Sequence, residues 1–286
     1  MERLKNITFI PMTSAQNKEL HFFPLFKGVG GEYNYDSLPS CDTVKLAKGV
    51  NTTKVWREMN GCGFALLRRF FGNPEAVLPN FVNTVYVCDD VAEMNGYEVK
   101  ELKNSERSYY SVLPKCRDSE NTFVNFGISQ NTSAEEQLKK TIPNLKMFGT
   151  SPTGINSSIS SIYDHVFPGS VSNEASAVTS LENYLNAELK NPKTIDIIWI
   201  NLSQGPFTLH KSVQKGGIFN SLNLTVCQIG VEARVDDHRN FYSFMLEVLN
   251  NWTFLFLRPK FSDDKQFVRV TIVNAANEWC YKKYYL

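Results

Sequence analysis

The 286-residue chain has no Cys-x-x-Cys pair, no His-x-x-x-His spacing and no apolar run of about 18 residues. The first two absences remove the motif grounds for zinc-ribbon, thioredoxin-type or helical zinc-protease chemistry, and the third leaves no candidate membrane-spanning helix. The four histidines, His21, His165, His210 and His238, are scattered, so no metal site is expected. Charge of one sign is also missing. Thirty Lys and Arg face 29 Asp and Glu, a net charge of +1, and the basic pairs Arg68-Arg69, Lys139-Lys140 and Lys282-Lys283 are isolated. That excludes the electrostatic footprint of a nucleic-acid binder. No repeat or low-complexity tract stands out. Met1 is followed by Glu2, Arg3, Leu4, Lys5 and Asn6 with no apolar core of a signal peptide, so the chain reads as soluble and unexported unless an upstream signal is missing.

What the chain does have is a 42% hydrophobic composition, enough for a substantial core. Six cysteines, at 41, 62, 88, 116, 227 and 280, are even in number, which leaves their redox state and the compartment open. Seven Asn-x-Ser/Thr sequons begin at Asn6, Asn51, Asn131, Asn156, Asn201, Asn223 and Asn251. They matter only on a secretory route.

The most informative stretch is residues 122–152. Residues 122–126 are β-rich, Gly127 to Thr132 form a loop, residues 133–140 open a helix, and residues 146–149 supply a second strand. A βαβ unit of this length makes a parallel pair and puts its first loop at the carboxyl edge of the sheet, where open α/β folds bind ligands. Residues 194–200 are a nearly continuous apolar run, as in a central strand covered on both faces, and they end in Asn201-Leu202-Ser203-Gln204-Gly205. Residues 224–232 are a second such run. A helix with an apolar face at Phe241, Phe244, Met245, Val248 and Leu249 follows, then strands at 252–257 and 267–273 joined by a charged turn from Pro259 to Gln266. Between Pro152 and Thr194 strand character is confined to Ala177-Val178-Thr179, so the third strand is expected to be lost or trimmed.

Leu113-Pro114-Lys115-Cys116, Phe126-Gly127-Ile128 with Ala134-Glu135, Phe148-Gly149 with Pro152, Ile195-Asp196 through Gln204-Gly205, Cys227-Gln228 with Glu232, and Val273-Asn274 with Glu278-Trp279-Cys280 occur in order over residues 111–286. This ordered set resembles the FkbM-type methyltransferase domain in its expanded animal branch. The resemblance implies a Rossmann-like class I methyltransferase sheet, mostly parallel with a C-terminal antiparallel strand pair, here preceded by an N-terminal extension over residues 1–112. It also implies use of S-adenosylmethionine to methylate a hydroxyl of a small molecule or glycan. On that reading Gly127, Ser129, Glu135 and Ser151 surround the cofactor. Asn201, Ser203 and Glu232 lie near the acceptor, with Glu232 the obvious carboxylate base and His210 and His238 weaker ones.

The departures from the family pattern all point one way. Ser129 stands where the family resembles a second glycine, and its Cβ crowds a close backbone approach. Ser151, before Pro152, stands where an acidic residue would grip ribose hydroxyls, and one hydroxyl cannot accept two bonds from a diol. Asn201-Leu202-Ser203-Gln204-Gly205 replaces an Asp-x-Glu-Gly pattern, and Glu232-Ala233-Arg234 replaces Glu-x-His. Bland readings stand beside these. Ser133 with Glu136 fits a capping box, and Glu232 with Arg234 shares one strand face as an ion pair would. In the N-terminal region, Trp56, Met59, Phe64, Leu67 and Phe71 mark a helix interrupted at Gly61-Cys62-Gly63, serving as core or as a substrate lid, and residues 81–88 read as a strand. Two functional readings follow: an active O-methyltransferase, or a methyltransferase-like domain that has lost catalysis and serves as a binding protein.

Overall fold

The computed structural model describes residues 33–46, 53–91, 97–105, 108–171, 180–190, 192–201, 212–250 and 253–285. All but Tyr33 belong to the second of two units, Met1–Tyr33 and Asn34–Leu286. Its centre is a seven-stranded sheet. Strands β3 (Asn121–Phe126), β4 (Leu145–Thr150), β5 (His165–Phe167), β6 (Thr194–Asn201) and β7 (Thr225–Arg234) run parallel. β9 (Phe267–Asn274) lies antiparallel to β7 and β8 (Phe254–Phe261) antiparallel to β9, giving the order β5-β4-β3-β6-β7-β9-β8. A mostly parallel sheet with this terminal antiparallel pair is the class I methyltransferase fold. The order reverses between β3 and β6, so the ligand crevice of such a sheet falls at the carboxyl ends of these two strands.

Both sheet faces are covered, which explains why β6 and β7 read as continuous apolar runs. Ile198, Ile229, Ile272 and Phe256 align across one face. Over it pack α1 (Thr53–Leu67), α2 (Pro74–Val91) and α7 (His238–Asn250). Phe81 meets Phe256 edge-on at 4.8 Å and Phe241 at 5.2 Å, while Trp56 Nε1 and Asn60 Nδ2 donate to the Phe254 carbonyl at 3.1 and 2.9 Å. The opposite face carries Trp199 and Gln228. A hairpin of β1 (Val99–Lys103) and β2 (Ser108–Val112) covers it, with Tyr109 stacked on Trp199 at 4.2 Å. Gln228 acts as a side-chain splint: its Oε1 accepts from Val112 N–H at 2.9 Å and its Nε2 donates to Val112 O at 2.9 Å.

Several local expectations are corrected. Residues 81–88 belong to α2, not to a strand: Asn73 caps its start, its Oδ1 accepting from Ala76 N–H at 3.2 Å, and Pro74 sits where a missing N–H costs nothing. Glycines at 61 and 63 do not interrupt α1, because packing and the Cys62–Cys88 disulfide to α2 outweigh propensity. The third strand is trimmed to three residues at His165–Phe167; Ala177-Val178-Thr179 lie outside the described residues. β8 continues through an irregularity at Arg258-Pro259 to Phe261, so the charged turn is shorter than Pro259 to Gln266. No capping box forms at Ser133. Helix α3 (Ser133–Thr141) has Thr132 as its N-cap residue, and the Asn131 carboxamide takes the Ser133 N–H.

All six cysteines are paired, as Cys41–Cys116, Cys62–Cys88 and Cys227–Cys280. The last ties β7 to the C-terminal helix α8 (Glu278–Tyr284), whose Asn277 caps two N–H groups. That helix delivers Lys283, fully buried, onto Asp196 at 2.6 Å and Asp118 at 3.3 Å. Asp196 is otherwise satisfied by Tyr284 Oη–H and by Thr122 N–H. Among the described residues no helix is long and apolar enough to cross a membrane.

Removing one partner of a buried pair strands the other's charge. Lys283→Ala is therefore expected to lower the unfolding free energy by about 3–5 kcal/mol, read by urea unfolding of the oxidised protein. A change within about 0.5 kcal/mol of zero would mean that the pair does not hold α8 in place.

Candidate functional site

The loops after β3 and β4 meet at the carboxyl edge, and the first backbone N–H groups there have partners within the chain. Gly127, at φ +96°, ends β3 in a conformation that favours glycine. Its N–H donates to Thr150 O at 3.2 Å and to Thr150 Oγ1 at 3.1 Å, and Ile128 N–H donates to Thr150 O at 2.8 Å. The pairing of β3 with β4 thus continues past the strands into the loop that would otherwise present its N–H groups to a ligand. Ile128 is fully buried over Gly149, where an added Cβ would lie 2.8 Å from Ile128 Cδ1 and 2.6 Å from Asn125 O.

Side chains then bridge the two loops. Gln130 Nε2 donates to Thr153 Oγ1 at 2.9 Å, and Gln130 Oε1 accepts from Asn156 Nδ2 at 2.6 Å. Further along, Thr132 Oγ1 and Ser158 Oγ lie 2.7 Å apart. Asn156 also caps α4 (Ser157–Ile162) through Ile159 N–H. Ser129 Oγ donates to Asn131 O at 2.8 Å, and Ser151, buried, turns its hydroxyl back onto Gly154 O.

The predicted acceptor-side residues lie one strand over. Asn201, the last residue of β6, and Glu232, two residues before the end of β7, are register partners and share a sheet face, and Asn201 Nδ2 reaches Gly127 O at 3.5 Å. Glu232 is buried in an ion pair, but with Arg269 of β9 at 2.6 Å; Arg234 pairs instead with Asp236 at 2.6 Å. The within-strand Glu232–Arg234 pair is thus corrected, since a cross-strand neighbour is closer than the i+2 position. Glu135 lies on the buried side of α3, accepting from Asn125 Nδ2 of β3 at 3.0 Å and from Tyr163 Oη–H at 3.3 Å. Ser203, Gln204, Gly205 and His210 lie outside the described residues. His238 opens α7. No group of three or more metal-ligating side chains occurs among the described residues.

The structure therefore brings together Gly127, Asn201 and Glu232, and it brings the Gly127 turn against the Ser151 end of β4. It sets Glu135 apart. Three residues were missed in the sequence. Gln130 and Asn156 carry no periodic signal, being polar residues in polar loops, whereas Arg269 had one, a charge in the middle of the apolar run 267–273.

No family model and no curated protein matches the chain. Among solved structures, the chain is similar to a precorrin-6y C5,15-methyltransferase from Geobacter metallireducens GS-15, at 12% identity and TM-score 0.32 over 55% of this chain and 82% of that one. It is also similar to a point mutant of the 16S rRNA (adenine(1408)-N(1))-methyltransferase from Catenulisporales acidiphilia, at 8% identity and TM-score 0.32 over 62% and 98%. A third is a human methyltransferase 10 domain containing protein, at 11% identity and TM-score 0.35 over 80% and 100%. Likenesses this distant carry no chemistry across.

A sulfonium nucleoside needs open N–H groups or carboxylates at the strand ends to hold its ribose and its charge. Here the N–H groups of Gly127 and Ile128 are spent on Thr150, Ser151 is spent on its own turn, and the carboxylates of Glu135 and Glu232 are held by neighbours away from the β3–β4 loops.

The burial around the site makes a prediction about pH. Burial, then the Glu135 carboxylate, holds Tyr163 well above the ordinary phenol value of 10.0, and burial, then Glu188, raises Tyr184 of α5 (Leu181–Ala187). Raised values mean that the folded state keeps protons the unfolded chain releases, so this stability is complete below pH 10.0 and is lost as pH rises toward the folded values. The alkaline loss should reach about 1.4 kcal/mol per pH unit for each such tyrosine. Tyrosinate absorbance of these rings should appear together with unfolding, and Tyr163→Phe should shift the alkaline midpoint upward; early ionisation in the folded protein would contradict the packing described.

Proposed function

We propose that this is a methyltransferase-fold domain of FkbM type whose cofactor edge is closed, and that it acts as a binding or interaction domain with a protein or glycan partner. The observation that carries the reading is the bridge at Gln130, which joins the loops after β3 and β4 through Thr153 and Asn156. The commitments of the Gly127 and Ile128 N–H groups support it. So do Ser129 and Ser151, which depart from the family pattern and each bond within the chain.

A second reading, S-adenosylmethionine-dependent O-methylation of a small-molecule or glycan hydroxyl, is favoured by the retained Gly127 turn and by the adjacency of Asn201 and Glu232. In that reading Glu232 would have to leave Arg269 to act as base. Gly127, Ser129, Glu135 and Ser151 would hold the cofactor, and Ser203 would join Asn201 and Glu232 at the acceptor.

Calorimetric titration with S-adenosylmethionine and S-adenosylhomocysteine separates the two. No binding at millimolar ligand is expected, for the protein and for the Ser129→Gly/Ser151→Asp double variant alike, because neither change opens the Gln130 bridge. Micromolar affinity, about −8 kcal/mol, in the unaltered protein would overturn the closed-edge reading and restore the enzyme.

A further inference from the structure

We propose that this chain matures in an oxidising, glycosylating compartment and carries an N-linked oligosaccharide on Asn223. Two independent observations converge. The first is the pairing of all six cysteines into three buried disulfides, which join the 34–46 segment to the end of the β2 connection, α1 to α2, and β7 to α8. Structural disulfides of this kind persist in oxidising compartments and are rare in a mesophilic cytosol.

The second is that the structure separates the sequons. Of the four whose asparagine is described, Asn201 is buried at the β3–β6 switch point and has no room for a sugar. Asn131 and Asn156 each have both ends of the carboxamide engaged, Asn131 by Ser105 and Ser133, Asn156 by Gln130 and Ile159. Asn223 differs from all three. It is exposed, at φ +51°, in the tight turn between α6 (Ile218–Ser221) and β7, at the amino edge of the sheet and away from the closed loops. An asparagine just past a helix end is also a common structural choice for this left-handed conformation. Thr225, which completes Asn223-Leu224-Thr225, then enters β7 opposite Thr194. A glycan on Asn223 leaves all the described packing intact.

The transfer balances without any redox partner. The Asn223 Nδ2 attacks the anomeric carbon of a lipid-pyrophosphate-linked oligosaccharide while the sequon is still extended. The N–C bond forms, the bond from that carbon to the pyrophosphate oxygen breaks, the lipid pyrophosphate leaves, and the amide proton passes to solvent. A chain modified instead at Asn201 could not close β6 against β3 and β7.

The test is glycopeptide mapping of the natural protein from its own cells, with thiols alkylated before lysis and peptides deglycosylated in heavy-oxygen water. Expected are an Asn223 converted to heavy-labelled Asp, an unlabelled Asn201, and no alkylated cysteine before reduction. An unmodified Asn223, a labelled Asn201 in folded material, or freely alkylated cysteines would each overturn the proposal. In the full chain exported from a eukaryotic host behind a cleavable signal, Asn223→Gly, which keeps the left-handed turn, should lose one glycan increment and Thr225→Ser should keep it. Material retained in the cell is digested and read in the same way, so a folding defect does not hide the answer. A mobility unchanged by Asn223→Gly would show that the site is not used.

Discussion

The Asp196 carboxylate is the point on which the order of the whole sheet depends. It stands near the amino end of the central strand and binds two segments that the sequence holds far apart: the first residues of β3 through Thr122 N–H, and the C-terminal helix through Lys283 and Tyr284. Lys283 in turn reaches Asp118, in the segment that leads into β3. Isolated, neither ion could remain at that depth, since desolvating a charge costs several kcal/mol. Each therefore requires the other, and the pair sets α8 beneath the sheet with no freedom to slide. The Cys227–Cys280 disulfide fixes the same helix to β7, one strand over from Asp196. The two links are complementary: the disulfide restricts the unfolded chain, and the ion pair penalises any compact arrangement that separates its partners.

The two ends of the sheet are held by different chemistry. At the amino end the constraint is ionic and covalent. At the carboxyl end the loops after β3 and β4 are joined by neutral hydrogen bonds among serine, threonine, asparagine and glutamine, with the Glu232–Arg269 ion pair one strand over. A carboxylate at position 151 could not simply replace the serine, because the partner of that hydroxyl is the Gly154 carbonyl, which cannot donate.

The sheet was legible because its signals are periodic. β6 and β7 are apolar throughout since both faces are covered, and α7 shows its Phe241, Phe244, Met245, Val248 stripe for the opposite reason, having one face in solvent. The misreading of residues 81–88 has a specific cause. Phe81, Val85 and Cys88 lie at helical spacing with Val77 and Leu78, but that stripe emerges only when the window includes the Asn73-Pro74 start. Half of the candidate site was legible too: Gly127 marks the turn, and Asn201 with Glu232 mark neighbouring strand ends. The bonds that close the site were not, because a cross-loop contact between two polar side chains leaves no trace in composition or period. Arg269 as partner of Glu232 follows only once the antiparallel register of β7 and β9 is fixed.

The closure can be weighed. A ligand entering between the loops after β3 and β4 would have to break Gln130–Thr153 and Gln130–Asn156, both exposed, and Thr132–Ser158, half-buried, for which about 0.5–1.5 kcal/mol net each is an upper bound. Together these cost at most about 1.5–4.5 kcal/mol, or one to three orders of magnitude in affinity. That is too little to make opening inconceivable for a ligand with strong contacts of its own. The bonds of the Gly127 and Ile128 N–H groups to Thr150 and the cross-loop bonds act on the same equilibrium in the same direction. Because the bonds are neutral, their contribution is nearly independent of salt, unlike the screened attraction that a sulfonium would find at a row of carboxylates.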